Sequence, residues 1–349
     1  MDVKAIIAER LRRQRLIEPH KDSKDYKELF RLLQPVAPVF FSSPGDPPRL
    51  VHRTAFDDGV VTDGMREDRV IVKGRFWGGN IGYVLADDLE VYANAFCHPI
   101  PVFSDTQITL MRAIGRSETL TPRQLKGETG LLNKHIMPAL HRLQSAFLVY
   151  EDQVNSDWER NWYIFESEWP DIEINEDKQD DAVSQVLARF LEGQVFATME
   201  QLKDWSQFPT NLLKSTSESM EKNGKIMPQK VKGLGEGWML SQDVSLKPGE
   251  IPPSVFMLHR SDILVKSCVS ELKRRFGDYE VLQYLLIDGE FKGAVLGHWR
   301  IGPHDVDDII IELPSAEKAK RRKEIVDAVA WGYHPPHSNI LKYDGKEVG

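Results

Sequence analysis

A repeated pattern of helices and short strands constrains the fold of this chain more than any other feature of its sequence. The letters T-x-x-Q-L-K occur at Thr121 and again at Thr198, 77 residues later. In each copy the threonine is suited to cap a short helix, and a turn separates this helix from a longer amphipathic one. Two short strands around a polar hairpin follow, with the hairpin at Asn155–Asp157 in the first copy and at Gly233–Gly237 in the second. The sequence therefore predicts two related modules in series.

Each module is preceded by one more amphipathic segment, at Asp105–Gly115 and at Asp181–Gly193. Three helices followed by a two-stranded wing is the winged-helix order, in which the third helix usually enters the major groove of DNA. The third helices carry these candidate DNA contacts: Asn133, Lys134, His135, His141 and Arg142 in the first copy, and Asn211, Lys214 and Lys222 in the second. Glu218 and Glu221 in the second copy would repel phosphate, and winged helices also serve as protein-interaction modules. A DNA-binding role and a protein-interaction role for these modules both stay open at this point.

The segments before the repeat predict two helices and a hairpin. Residues 4–17 and 23–33 have helical periodicity. The segment Val70–Phe96 predicts a strand, a glycine-rich turn, a second strand and a helix that begins near Ala86–Asp88. The carboxylates of Asp87 and Asp88 are suited to cap that helix, where free backbone N–H groups favour negative charge.

The last hundred residues are rich in strand-like runs. Asp288–Gly289 is typical of a hairpin turn, and a basic amphipathic helix with Ser315 as its cap should follow Pro314. We therefore expect an α+β protein with tandem winged-helix domains and a C-terminal antiparallel β-sheet or small barrel closed by a helix. The predicted domains are residues 1–104 (N-terminal helical, winged-helix-like, with a proline-rich segment), 105–170 (winged helix), 171–248 (acidic linker and second winged helix) and 249–349 (C-terminal β domain with helix).

Composition excludes several classes of site. Hydrophobic residues make up 41% of the chain and charged residues 28%, without a long apolar run or a signal peptide, so we expect a cytoplasmic protein that does not enter a membrane. Cys97 and Cys268 are the only cysteines and support neither a disulfide framework nor a zinc site. His334 and His337 lack a carboxylate in helical register, and the glycines of Gly74–Gly82 lack the strand-to-helix placement of a dinucleotide site. We predict no metal and no cofactor.

The formal net charge of −8 argues against a nucleic-acid partner only until its distribution is considered. Eight acidic residues and one lysine lie between Glu166 and Asp181, so the rest of the chain is close to neutral. We interpret this acidic stretch as a solvated linker. Basic clusters at Arg10–Arg15, Lys273–Arg275 and Lys318–Lys323 leave local surfaces that can bind DNA.

A proline-rich segment, Leu32–Pro48, has five prolines in its last fourteen positions. Because proline fixes φ and disfavours helix at the preceding residue, a helix must end near Gln34 and the chain must follow a defined irregular path. Two interpretations fit: a rigid loop between elements, or a path that presents groups to a ligand.

The order of these segments resembles the winged-helix DNA glycosylases, the alkylpurine and crosslink enzymes AlkZ and YcaQ with their relatives. The letters that carry the resemblance are VKGRFWGGNIGYVLADDLE at Val72–Glu90, together with the basic N-terminal helix. The family's histidine in this segment falls on Gly82. Its catalytic Gln-aliphatic-Gln motif falls on Val36–Ala37–Pro38, so both amides are absent unless the register shifts and Gln34 takes the first place. The resemblance implies duplex DNA as the partner and hydrolytic excision of alkylated or crosslinked bases as the activity.

Excision of an alkylated purine requires an amide or carboxylate that orients water and stabilises the sugar cation. Within reach in the sequence are Gln34, Asp57 and Asp58, which we predict as catalytic candidates, and also Asp46. Asp57–Asp58–Gly59 is more typical of a turn than of an active site. The predicted DNA-binding residues are Arg12, Arg13, His52, Arg53, Lys73, Arg75, Asn133, Lys134, His135, Arg142, Lys214, Arg274 and Arg275.

Three hypotheses follow from the sequence. The first is a DNA-repair protein that binds double-stranded DNA and removes damaged bases. The second is a DNA-binding lesion sensor or regulator without catalysis. The third is a protein-interaction scaffold whose winged helices do not contact DNA, although the sequence identifies no protein partner.

Overall fold

A computed structural model describes residues 2–38, 46–152, 160–300 and 302–348. The helices are α1 (Val3–Arg13), α2 (Tyr26–Leu33), α3 (Gly59–Glu67), α4 (Leu89–Phe96), α5 (Asp105–Ser117), α6 (Pro122–Thr129), α7 (Asn133–Ser145), α8 (Phe165–Glu168), α9 (Gln179–Gln194), α10 (Met199–Ser206), α11 (Thr210–Lys222), α12 (Ile263–Ser267), α13 (Val269–Phe276) and α14 (Ser315–Ala330). The strands are β1 (Ile71–Phe76), β2 (Asn80–Leu85), β3 (Thr119–Leu120), β4 (Val149–Asp152), β5 (Asn161–Ile164), β6 (Ile226–Val231), β7 (Gly235–Leu240), β8 (Val255–His259), β9 (Val281–Ile287), β10 (Glu290–Leu296), β11 (Asp308–Ile311), β12 (Lys342–Tyr343) and β13 (Lys346–Glu347). The chain is thus a mixed α+β protein, as predicted.

Contacts between Cα atoms divide the chain into two compact units. The first unit comprises Met1–Pro19, Gln194–Trp205 and Pro228–Gly349, and the second comprises His20–Gly193 and Ser206–Met227. The first copy of the repeat lies entirely within the second unit. The second copy is divided, since α11 belongs to the second unit whereas β7 and most of α10 belong to the first.

The first unit contains a six-stranded sheet with the order β13-β12-β11-β10-β9-β8. Its pairs are antiparallel except for β11 with β12, so the predicted C-terminal multi-stranded sheet is confirmed. Asp288 and Gly289 have φ values of 51° and 79° and form the predicted turn between β9 and β10. The prediction that Ser315 caps α14 is wrong: the helix begins at Ser315 itself, after Pro314, without a side-chain cap.

The second unit contains a helical module in which α5, α6 and α7 pack around a common core with the sheet β3-β5-β4. Thr121 caps α6 as predicted, because its hydroxyl accepts from the Gln124 backbone N–H while the Gln124 side chain accepts from the Thr121 N–H. Gly130 then ends the helix with φ at 69°. The predicted hairpin Asn155–Asp157 lies outside the described residues. The core of this module includes Leu110, Ile114, Leu125, Ile136, Leu140, Leu143 and Trp162.

The predicted strand, turn, strand and helix between residues 70 and 96 are confirmed as β1, β2 and α4. The prediction that Asp87 and Asp88 cap this helix is wrong, because neither carboxylate makes a side-chain cap hydrogen bond there. Asp88 instead accepts hydrogen bonds from side chains of α2 and α9. The first two helices are shorter than predicted, since α1 ends at Arg13 and α2 begins at Tyr26.

No helix in the described part of the chain is long and apolar enough to cross a membrane.

Gly82 in β2 provides a test of this packing. A Cβ atom at Gly82 would lie 2.8 Å from the Trp77 ring and 3.0 Å from Pro35 Cβ, and Trp77 is buried. We expect Gly82→Ala to lower the free energy of unfolding by about 1–3 kcal/mol because the core is overpacked. The control is Gly64→Ala in α3, where a Cβ meets nothing within 4 Å and alanine should stabilise the helix by about 0.5–1 kcal/mol. Urea denaturation followed by circular dichroism measures both, and equal stabilities would contradict the packing described.

Candidate functional site

The amide of Gln34 fixes the start of the proline-rich segment. Its Oε1 accepts from the Leu85 backbone N–H at 2.8 Å, and its Nε2 donates to Asp88 Oδ2 at 2.7 Å. Two residues later, Val36 exchanges backbone hydrogen bonds with Tyr83 at 2.8 and 2.9 Å. Gln34 is 2% exposed, so both ends of the predicted catalytic amide are engaged inside the protein. Residues 39–45 of the segment lie outside the described residues.

Asp88 is the acceptor at the centre of this arrangement. Arg31 Nε on α2 donates to its Oδ2 at 3.0 Å, and Arg189 Nη2 on α9 donates to its Oδ1 at 2.7 Å. Burial raises the pKa of the Asp88 carboxyl, but the hydrogen bonds from Gln34, Arg189 and Arg31 outweigh burial and hold the pKa below its usual range. We call Arg31, Gln34, Asp88 and Arg189 the Asp88 cluster; it ties α2, α4 and α9 together. Sequence reasoning did not identify Asp88 or Arg189 as members of a site.

The structure brings the other two predicted catalytic residues together through Arg49. Asp58 is 2% exposed, and it accepts from the Tyr26 hydroxyl at 2.7 Å, from the Leu50 N–H at 2.6 Å and from Arg49 at 3.2 Å. Asp57 is exposed, pairs with Arg49 at 2.7 Å and accepts from the Gly59 N–H at 3.0 Å. These bonds fix the chain before α3. Catalytic roles for Gln34, Asp57 and Asp58 stay predictions.

Helix α7 presents its predicted DNA contacts to solvent. Asn133, Lys134, His135 and Arg142 are exposed, and α7 has no acidic residue. Within the described part of the chain, Lys134 and Arg142 take part in no ion pair.

The corresponding helix α11 is electrically balanced. Its exposed Lys214 and Lys222 are offset by Glu218 and Glu221 on the same helix. The two copies of the repeat therefore differ in the charge of the helix that would face DNA, and α7 has the stronger attraction for phosphate.

Other predicted DNA-binding residues are engaged with carboxylates in the first unit. Arg12 and Arg13 pair with Glu9, and Arg13 also pairs with Asp243 at 2.6 Å. Arg274 pairs with Glu200 at 2.7 Å, and Arg275 pairs with Glu271 and Glu312. These ion pairs neutralise the positive charge that would attract a DNA phosphate.

Near α3, Arg53 is 2% exposed and donates to the Val51 carbonyl. His52 is partly exposed and has a φ of 65°. Contact of either residue with DNA stays a prediction.

A buried polar cluster lies where β1, β4 and α7 meet. Lys73 Nζ of β1 lies 2.9 Å from Glu151 Oε1 of β4, and Arg160 Nη1 lies 2.7 Å from the same oxygen. Arg75 Nε, two residues along β1, donates to Gln144 Oε1 of α7 at 2.8 Å. We call this group the Glu151 cluster, and it comprises Lys73, Arg75, His141, Gln144, Glu151 and Arg160. Lys73, Arg75 and His141 were predicted as DNA contacts, whereas no local sequence pattern indicates that Glu151 and Arg160 join them.

The acidic stretch is anchored to α4. Asn94 donates to the Glu173 carbonyl at 2.8 Å and accepts from the Asn175 N–H at 2.8 Å. With Phe147 and Phe165, this segment lines a cavity of about 760 Å³. Its carboxylates are mostly exposed, as the sequence predicted, but its backbone packs against the helix. Among the residues described, no group of three or more His, Cys, Asp or Glu side chains can hold a metal ion.

Comparison with solved structures identifies a likeness that covers nearly the whole chain. The DNA glycosylase AlkZ of Streptomyces sahachiroi superposes with a TM-score of 0.69 at 15% sequence identity, over 95% of this chain and 96% of that one. The chain has an AlkZ-like fold. No family model and no curated protein sequence matches it, so the likeness is one of fold. The resemblance seen in a few short sequence motifs thus extends to the three-dimensional arrangement.

The Asp88 cluster makes a testable contribution to this fold. We expect Asp88→Asn to lower the free energy of unfolding by about 2 kcal/mol at neutral pH, because three charge-assisted hydrogen bonds lose their anion. The folded carboxyl has a lowered pKa, so its contribution is present above the unfolded value and is lost as the pH falls through the folded one. The difference between wild type and variant should therefore narrow below about pH 4.

Chemical denaturation across a pH series measures this difference. Asp87→Asn is the matched control, since the neighbouring Asp87 side chain is 60% exposed in its pair with Lys27 and should contribute little. An Asp88→Asn effect as small as the control, or one independent of pH, would contradict the role assigned to the cluster.

Proposed function

We propose that this protein binds duplex DNA through the exposed face of α7 and acts in DNA repair. One observation carries the proposal: in a chain with an AlkZ-like fold, the third helix of a three-helix module presents exposed basic residues and no acidic ones. The proposal includes a winged-helix role for this module. Its support is the order α5, β3, α6, α7, β4, β5, with β5 between β3 and β4 in one sheet.

The charge around α7 supports the same surface. Six exposed basic residues occur between residues 105 and 145, whereas only three acidic residues do, and none of the six takes part in an ion pair within the described ranges. A local surplus of this kind attracts a polyanion even when the whole chain is acidic. The basic residues are Arg112, Arg116, Arg123, Lys126, Lys134 and Arg142. The acidic stretch would repel DNA elsewhere and so favour one orientation on the duplex.

Hydrolytic excision of an alkylated or crosslinked base is the second candidate function, and its support is the fold shared with a DNA glycosylase. The residues available for it are Gln34, Asp57 and Asp58. Water activation by Gln34 would require water to reach an amide that is 2% exposed and already bonded to Leu85 and Asp88. A lesion sensor that binds without excision needs no such access. For this reason we place DNA binding first and excision second.

Salt-dependent binding tests the first function. We expect wild type to bind a short duplex with an affinity that falls steeply with salt. The double variant Lys134→Ala/Arg142→Ala should lower the slope of log affinity against log salt by about two, because two phosphate contacts are lost. Fluorescence anisotropy of a labelled duplex at several salt concentrations measures the slope.

Lys346→Ala in β13 is the matched control, since it removes an exposed positive charge outside the module and outside the basic clusters of the sequence. Equal slopes in the wild type, the double variant and the control would exclude the exposed face of α7 as the DNA-binding surface. Undetectable binding by wild type would instead favour a protein-interaction scaffold.

Base release tests the second function. For excision we expect abasic sites to form in a duplex that contains a methylated guanine or an interstrand crosslink. At least one of Gln34→Ala, Asp57→Ala and Asp58→Ala should then lower the rate at least about tenfold while duplex binding persists. Cleavage of the product strand by alkali, resolved by electrophoresis, detects the sites. Binding without abasic sites would assign the protein as a non-catalytic sensor, and full activity in all three variants would exclude these residues.

A further inference from the structure

The Glu151 cluster has a surplus of positive charge. Among the described residues, Lys73, Arg75 and Arg160 lie around one carboxylate, that of Glu151, and Lys73 and Arg160 both pair with its Oε1. Within this part of the chain the group therefore has three basic side chains and one acidic side chain. Burial lowers the pKa of Lys73 to about 8 and also lowers the pKa of Arg75, since their charged forms are costly there. A buried surplus of this kind opposes folding unless an anion offsets it.

The cluster also has more hydrogen-bond donors than acceptors. Gln144 is 2% exposed, and its Nε2 has no partner among the described residues; the Nε of Arg160 likewise has none. Glu151 Oε2 is a single unpartnered acceptor within the same description. Lysine and arginine side chains have no acceptor atom. A ligand that completes this cluster must therefore accept hydrogen bonds and be negatively charged, which describes an oxyanion.

Helix α7 connects the cluster with the proposed DNA-binding face. His141 and Gln144 belong to this helix, and Arg142, which follows His141, is on its exposed face. Arg75 and His141 are partly exposed, and the Arg160 side chain is 23% exposed. These three side chains can therefore meet a ligand from solvent, whereas Lys73 and Glu151 are buried. A phosphate of a duplex that lies along α7 can reach this edge.

His141 reports on the charge of the cluster. Burial, together with the nearby cations Arg75, Arg160 and Lys73, lowers its pKa to about 4 against the opposing effect of Glu151. The charged groups that act on it lie on β1, on β4 and at the residue before β5. An anion bound among them would offset the cations and favour the protonated ring.

We propose that Arg75, Arg160 and His141 bind one backbone phosphate of duplex DNA, beside the face of α7. Lys73 and Glu151 are positioning residues, since Glu151 holds Arg160 and Lys73 balances Glu151. This proposal rests on the proposed function for the source of the phosphate, but the oxyanion site itself can be tested without DNA. The DNA contacts would then form two groups. One group is the exposed residues of α7, and the other is the partly buried group of Arg75, Arg160 and His141.

Two measurements on the full chain test the site. In anisotropy titrations with duplex, Arg75→Gln and Arg160→Gln should each lower the salt slope by about one, while Lys346→Ala leaves it unchanged. In NMR spectra of the His141 ring, inorganic phosphate alone should raise the pKa of His141 from about 4, and duplex should raise it further. Circular dichroism establishes that each variant is folded.

The outcomes distinguish this inference from the proposed function. A shift of the His141 pKa with inorganic phosphate supports the oxyanion site even if duplex does not bind, and in that case only the proposed function fails. Normal duplex binding with unchanged slopes in both arginine variants and an unaffected His141 overturns the site while the proposed function stands. An adventitious effect of phosphate would be recognised by an equal shift of the His141 pKa in Arg75→Gln, which would also overturn it.

Discussion

The buried carboxylate of Glu151 is the interaction on which the candidate surface depends. It holds Lys73 of β1 and Arg160, the residue before β5, and thereby links the β1–β2 hairpin to the module that contains α7. Without this anion, the buried positive charge of Lys73 would lose its carboxylate partner, at a cost of several kcal/mol. Because alternate residues of a strand share a face, fixing Lys73 also directs Arg75 toward Gln144 of α7. The position of the basic groups beside α7 depends on this one carboxylate.

A second anchor, Asp88, sets the path of the proline-rich segment. The Gln34 amide bonds to Asp88 and to the Leu85 N–H, and Val36 makes two backbone hydrogen bonds with Tyr83. These bonds fix the start of the segment against β2. For the described residues at the start of the segment, these bonds support the first interpretation, a loop held between elements. Trp77 and Pro35 pack so closely against Gly82 that a larger side chain there would overlap with them. The chain thus shares the fold of a DNA glycosylase, and its β2 strand requires a small residue at this position.

Much of the fold could be predicted from local patterns. The capping box at Thr121 and Gln124, the positive-φ turn at Asp288–Gly289 and the strand–turn–strand–helix after Val70 each depend on neighbouring residues alone. The errors have a common physical reason: Asp88 was expected to cap α4, but the guanidinium groups of α2 and α9 stabilise its charge more than helix N–H groups would. Likewise, Lys73 and Arg160 are 87 residues apart, and no local pattern indicates that they share one carboxylate. A lysine within the otherwise apolar start of β1 is the one signal that could have predicted a buried partner.

The exposure of the basic residues of α7 could be predicted from helical periodicity. The ion pairs that neutralise other arginines could not be predicted in this way. Arg13, Arg274 and Arg275 have basic neighbours in sequence but carboxylates beside them in the structure. Net basicity of a short segment is therefore a poor guide to how much of its positive charge lacks a carboxylate partner in the folded protein.

Hydrogen–deuterium exchange of the full chain, with and without a short duplex, tests the central claim most directly. The account predicts that duplex slows exchange in peptides covering α7 and the β1–β2 hairpin, and leaves α14 unchanged. Slower exchange restricted to the first unit, with α7 and the hairpin unaffected by bound duplex, would contradict it.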